Sequence, residues 1–166
     1  MKRIALLMLI ISAFMTGSVS AISETKEKAI IMKCDVIRDN LKEIQRSDSR
    51  ARTYLGGYYE TILSGFMMPL NGWIEESGRT FSRTTVLLDN QDDFYQTRRD
   101  FQTDYIEYQR GLEELVLIDC ETEPEKFYEK LVSVRTKRKK VVDKTVSLQK
   151  LANKQIKLVK ELGAEL

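Results

Sequence analysis

An apolar repeat whose steps alternate between four and three residues runs through most of this chain, and it leaves few folds open. The first stretch reads Ile30, Cys34, Ile37, Leu41, Ile44, Asp48, Ala51, Leu55, Tyr58, Ile62 and Phe66, and continues past Pro69 to Trp73. The second reads Leu87, Gln91, Phe94, Arg98, Phe101, Tyr105, Tyr108, Leu112 and Leu115. The third reads Phe127, Leu131, Val134, Arg138, Val141, Thr145, Leu148 and Ala152, with Val159 and Leu162 beyond and Ile156 one place off. This spacing puts an apolar row on one face of an α-helix, and a long row must be covered by another helix. Strand-like alternation is absent and there are only two prolines, Pro69 and Pro124. The fold class is therefore all-α.

The helices are expected over about 24–76, 80–118 and 124–165. Ser23 is a candidate N-cap, with Glu24 and Glu27 in the first turn. Pro69 lies inside the first seam and predicts a bend there. Gly78 can end the first helix as a left-handed cap. Pro124 suits the first turn of the third helix, where its missing N–H costs nothing. Short connections between long helices imply antiparallel neighbours. The expected architecture is an elongated up-down-up antiparallel three-helix coiled-coil bundle in a single domain, 22–166. Its third helix would be about 63 Å long at the α-helical rise.

Residues 1–21 have the form of a signal peptide. Lys2 and Arg3 precede an apolar run from Ile4 to Met15, and Val19-Ser20-Ala21 offers small residues before a cleavage point. The run is too short for a comfortable membrane span, and an uncleaved amphipathic anchor is the alternative. Cleavage near Ala21 would deliver an exported chain to the exterior, the periplasm or the cell envelope. Two cysteines in such a chain favour a disulfide. A first turn centred near residue 77 brings Cys34 level with Cys120. The alternative is two independent thiols.

Without Lys2 and Arg3 the chain has 25 basic and 25 acidic residues. A formally neutral exported chain is a poor candidate for nucleic acid. The charges nevertheless sort by helix. Asp89 to Glu123 carries eleven acidic and three basic residues, whereas Lys130 to Lys160 carries eleven basic and one acidic. The basic face, Lys137, Lys139, Lys140 and Lys144, can serve an anionic membrane or cell-wall polymer. It can equally lace the third helix to the acidic second. Asp48 and Arg138 interrupt apolar seams at similar heights and are expected to form a structural ion pair. Arg98, the third charge in a seam, comes level with Gly56-Gly57, where missing side chains leave room.

The chain has no histidine, which removes the commonest general base and metal ligand. Asp89-Asn90-Gln91-Asp92-Asp93 lacks the glycine and final glutamate of a calcium loop. Gly56-Gly57 is followed by Tyr-Tyr and not by the lysine of a phosphate loop. Serine and cysteine nucleophiles would lack a histidine base. The expectation is a protein with no catalytic residues, no metal and no cofactor.

Around Pro69, two adjacent apolar rows run side by side: Ile62, Phe66, Trp73 and Leu63, Met67, Leu70, Ile74. Core packing explains them, because a helix between two neighbours needs a wide apolar face. The alternative, adopted here as the expectation, is a partly covered contact tip formed by Met67, Met68, Leu70, Trp73 and Ile74. Tyr58, Tyr105 and Tyr108 lie on the seams and belong to the core. Tyr54, Tyr59 and Tyr95 lie off them and are freer to meet a partner. The chain is accordingly read as an exported helical protein that works by protein–protein contact with an unknown partner, and a homo-oligomer is compatible with that reading. A holdase-like chaperone is one alternative. Exported helical-hairpin holdases share the size and signal peptide, but their β-rich oligomerisation core has no counterpart here. A peripheral binder of anionic surfaces is the other.

Overall fold

The computed structural model describes residues 22–78 and 84–163. The expected signal peptide, the expected start of the second helix at 80–83 and the expected end of the third at 164–165 lie outside them. The described chain is a helical bundle: α1 (Glu24–Met32), α2 (Cys34–Ile62), a π-helical turn (Leu63–Met67), α3 (Met68–Glu76), α4 (Thr84–Leu117) and α5 (Pro124–Gly163). No strand occurs among the described residues.

The expected first helix is thus interrupted twice. Lys33 leaves helical geometry at φ −116° and ψ 14°. Its N–H donates to Ile30 O, while its own carbonyl already accepts from Ile37. The second interruption precedes Pro69. Proline cannot donate to the carbonyl four residues back, and its ring crowds that carbonyl. The π-helical turn widens the backbone just there, and Met68 N–H reaches Leu63 O, five residues back. Gly78, at φ +62°, forms the left-handed cap that ends α3. Before α5, Asp119 Oδ1 accepts from Glu121 N–H at 3.0 Å, and Asp119 O accepts from Glu123 N–H at 2.8 Å. Pro124 is the first residue of α5.

Cross-helix contacts fix which residues share a height. Cys34 is disulfide-bonded to Cys120, with Cα atoms 5.6 Å apart. Farther along, Tyr108 donates to Asp48, Arg98 pairs with Glu60, and Asn71 donates to Gln91. Numbers rise through Cys34, Asp48, Glu60 and Asn71 as they fall through their partners Cys120, Tyr108, Arg98 and Gln91. α4 and α5 approach closely at Gly111, where an added Cβ would meet Val134 Cγ2 at 3.2 Å.

The core falls into three apolar blocks. One gathers Ile30, Cys34, Leu41, Tyr105, Tyr108, Leu112, Leu115, Cys120, Phe127 and Val134. The next contains Tyr59, Leu63, Met67, Phe94, Phe101, Leu148 and Ala152. The last contains Ile74, Leu87, Leu158 and Leu162. Polar side chains separate them, as described below.

The buried row of the first rod, α1 to α3 with the π-helical turn, departs from the strict repeat. Past Leu55 it advances in steps of four, through Tyr59, Leu63 and Met67, and then reaches Ile74. A straight α-helix turns by 3.6 residues, so a row repeating every 3.5 drifts off the contact face. The π-helical turn adds to the shift. Tyr59, expected outside the seam, is 1% exposed, and Tyr58, expected inside it, is 38% exposed.

Candidate functional site

The expected contact tip divides in two. Met67 and Ile74 are buried in the second and third blocks, so they are not contact residues. The rotation of the buried row carries them inward. Leu70 is half-buried against the third block. Met68 and Trp73 remain 54% and 45% exposed. The same rotation brings Tyr58 and Phe66 to the surface, where they join the exposed Tyr54. Tyr54, Tyr58, Ile62 and Phe66 follow one another at four-residue spacing and therefore line one side of the rod. From Thr53 to Ile74 the only charged residue is Glu60, and Arg98 Nη2 holds it at 2.6 Å. Arg98 does not occupy space left by Gly56 and Gly57, since nothing lies within 4 Å of a Cβ built on either.

The basic face of α5 is partly spent inside the fold. Lys144 pairs with Asp100 at 2.6 Å, and Lys130 pairs with Glu114. That lysine holds the Glu114 carboxyl below the ordinary carboxylate range. Lys137 Nζ donates to Glu107 O at 3.5 Å, and Lys139 pairs with Asp143 at 2.5 Å. Lys140 is exposed. Lacing between the acidic and basic helices thus accounts for Lys130 and Lys144 directly.

Asp48 and Arg138 meet as expected. Arg138 Nε donates to Asp48 Oδ2 at 2.7 Å, and Nη2 donates to Oδ1 at 2.9 Å. The two-pronged geometry matches the guanidinium fork to the carboxylate. Tyr108 OH, which the sequence did not attach to this pair, donates to Oδ2 at 2.7 Å. Burial, then the hydrogen bond to Asp48, pushes the Tyr108 phenol up. The hydrogen bonds to Asp48 raise the Arg138 pKa further, against the opposing effect of burial. The cluster lies between the first and second apolar blocks. Asp48 accepts three hydrogen bonds and its charge is balanced by Arg138, so the cluster ties α2, α4 and α5 together.

A second polar layer went unread in the sequence. Asn71, Asn90 and Gln155 are buried between the second and third blocks. Asn90 Nδ2 donates to Gln155 Oε1 at 2.8 Å and to Leu151 O at 3.1 Å. Asn71 Nδ2 donates to Gln91 Oε1 at 2.7 Å. The available signal was that the strict repeat Leu148, Ala152, Gln155, Val159, Leu162 passes through Gln155. Among the described residues no cluster of three His, Cys, Asp or Glu side chains could hold a metal ion. None of the described helices is long and apolar enough to cross a membrane.

Compared with known proteins, the chain matches no protein-family model, no curated protein and no solved structure.

Proposed function

We propose that this chain is an exported, non-catalytic helical protein of the cell exterior or envelope that works by protein–protein contact. Its proposed architecture is an elongated up-down-up antiparallel bundle of three helical rods behind a cleaved signal peptide. The contact surface is the side of the first rod bearing Tyr54, Tyr58, Phe66, Met68 and Trp73. The observation that carries this reading is the exposure of those large side chains on a span whose one charge is paired. Exposed apolar patches mark partner sites, and tyrosine and tryptophan are frequent anchors in them. The buried disulfide suits an oxidising compartment.

The experiment compares Tyr54→Ser, Met68→Ser and Trp73→Ser with the core variant Met67→Ser. Melting temperature and recovery of a cross-linked partner are both measured. The surface variants should keep the melting temperature and lose the partner. Undiminished recovery in all three would overturn the reading.

One observation favours a second reading, a peripheral binder of anionic membrane or cell-wall polymer. Arg135, Lys140, Lys150, Lys154 and Lys160 are exposed, and none makes an ion pair among the described residues. Salt-dependent binding to anionic vesicles supports that reading, because screening weakens exposed charge attraction. Suppressed aggregation of unrelated unfolded proteins would point to a holdase-like chaperone.

A further inference from the structure

We propose that the contact face of the first rod is occupied by a second copy of this chain, in an antiparallel pair about a two-fold axis. This names the occupant of that face and rests on its being a contact surface. Each helical residue advances by about 100° round the axis, so two steps reach the opposite side. Arg50 comes two residues after Asp48, which faces inward to Arg138. Thr61, Gly65 and Glu76 come two residues after the buried Tyr59, Leu63 and Ile74. All four are exposed, and they form a ridge that points away from α4 and α5. Tyr54 stands on this ridge one turn after Arg50, and the exposed Tyr58 and Phe66 flank it.

The ridge is complementary to itself. From Thr53 to Ile74 Glu60 alone is charged, and Arg98 holds it within the chain. Beyond that span the signs differ, with Arg50 before it and Glu75 and Glu76 after it. None of these three makes an ion pair among the described residues. The nearby Asp48 is bound by Arg138 and Tyr108, and Arg52 turns inward, its guanidinium 4.9 Å from the centre of the Tyr105 ring. In an antiparallel pair Arg50 of each copy comes level with Glu76 of the other. The same register brings Thr61 level with Gly65 and Tyr54 level with Gly72, so one alignment serves the whole ridge. Nothing lies within 4 Å of a Cβ built on Gly72, which leaves room for the Tyr54 ring. A parallel pair would set Arg50 against Arg50 and Glu76 against Glu76, and like charges opposed across an interface disfavour it. A two-fold interface requires a surface complementary to itself. Here an apolar middle lies between opposite charges at equal distances from its centre. Helices that cross at about 20° can keep such a contact over several turns.

The test is the mass of the purified, disulfide-bonded chain by analytical ultracentrifugation over a range of concentrations, with circular dichroism to check that each variant folds. The parent should show a monomer–dimer equilibrium with a Kd of about 100 µM or tighter, the scale of a weak protein pair. Arg50→Glu and Glu76→Arg should each weaken it by about tenfold or more, since each sets like charges together at both ends of the pair. The double variant Arg50→Glu with Glu76→Arg should recover the parent's affinity, because it exchanges the two signs and keeps the register. Tyr54→Ser should also weaken the dimer by about tenfold, as loss of an interface tyrosine does, and Lys150→Glu on α5 should leave it unchanged. A single-chain mass at every concentration overturns the proposal. So does a dimer indifferent to Tyr54→Ser or to the single reversals, or a double reversal no better than either single one. A monomer that still loses a different cross-linked protein on Tyr54→Ser keeps the contact face and refutes only the second copy as its occupant.

Discussion

Asp48 accepts hydrogen bonds from Tyr108 on α4 and Arg138 on α5, and this geometry sets what its removal should cost. Exposed ion pairs contribute about 0.2–1 kcal/mol, and breaking a fully buried one costs about 3–5 kcal/mol. Here the side chains are 19% and 39% exposed, so the pair stands between those limits. A double-mutant cycle of Asp48→Ala and Arg138→Ala in urea should give a coupling of about 1–3 kcal/mol. A coupling near zero would show that solvent already screens the pair. The tyrosines give a separate expectation. Burial is the first cause raising the pKa of Tyr59, Tyr105 and Tyr108 above the ordinary 10.0. Above that pH the unfolded chain loses these protons before the folded one does. Their stabilising contribution is therefore fully present below pH 10 and falls as pH rises beyond it. Tyrosinate absorbance should show three tyrosines of seven remaining unionised above pH 10 until the chain unfolds cooperatively. Tyr108→Phe should make the alkaline fall in stability less steep.

At the scale of elements, the two methionines before Pro69 separate core from surface. Met67 is 0% exposed and Met68 is 54% exposed, although both neighbour the same π-helical turn. Met67→Ala should cost about 2–5 kcal/mol through lost burial and a residual cavity. Met68→Ala should stay within about 0.5 kcal/mol of the parent, as most surface substitutions do. Equal costs in chemical denaturation would mean that the turn does not rotate the row as described. The sequence left this choice open because both rows around Pro69 are apolar. A period of 3.5 and a period of 3.6 separate only over many turns, and nothing local marks a π-helical turn in advance. Where a seam carried one unusual residue the register was legible, as with Cys34, Asp48 and Arg138. The Asn90–Gln155 contact was missed because amides are ordinarily taken as solvated; Gln155 lies on the repeat, but Asn90 lies one place off it, beside the seam position read at Gln91. The exposed apolar side was legible in composition but not in membership: Met68 and Trp73 are exposed, whereas Met67 and Ile74 are buried and Tyr58 and Phe66 are exposed in their stead.

Across the whole molecule, two polar layers divide the apolar core, and the disulfide lies in the block farthest from α3. Polar layers of this kind restrict register at some cost in stability, since a slipped helix leaves buried amides or charges without partners. The Cys34–Cys120 bond closes a separation of 86 residues, which in the chain-entropy picture contributes about 4.5 kcal/mol. Both sulfurs belong to buried residues that pack with Ile30, Leu115 and Phe127. Ile30 is the one buried residue of α1, so little else ties that helix down. Comparison of the same chain with and without reductant avoids any change of side chain. Reduction should lower stability in urea by about 4.5 kcal/mol, the whole entropic contribution. Hydrogen exchange should then quicken first in α1 and the start of α2, while amides around Leu63, Phe94 and Leu148 keep their protection longest. Uniform quickening along all the helices would instead mean that the polar layers do not partition the core, and that the bundle opens as one cooperative unit.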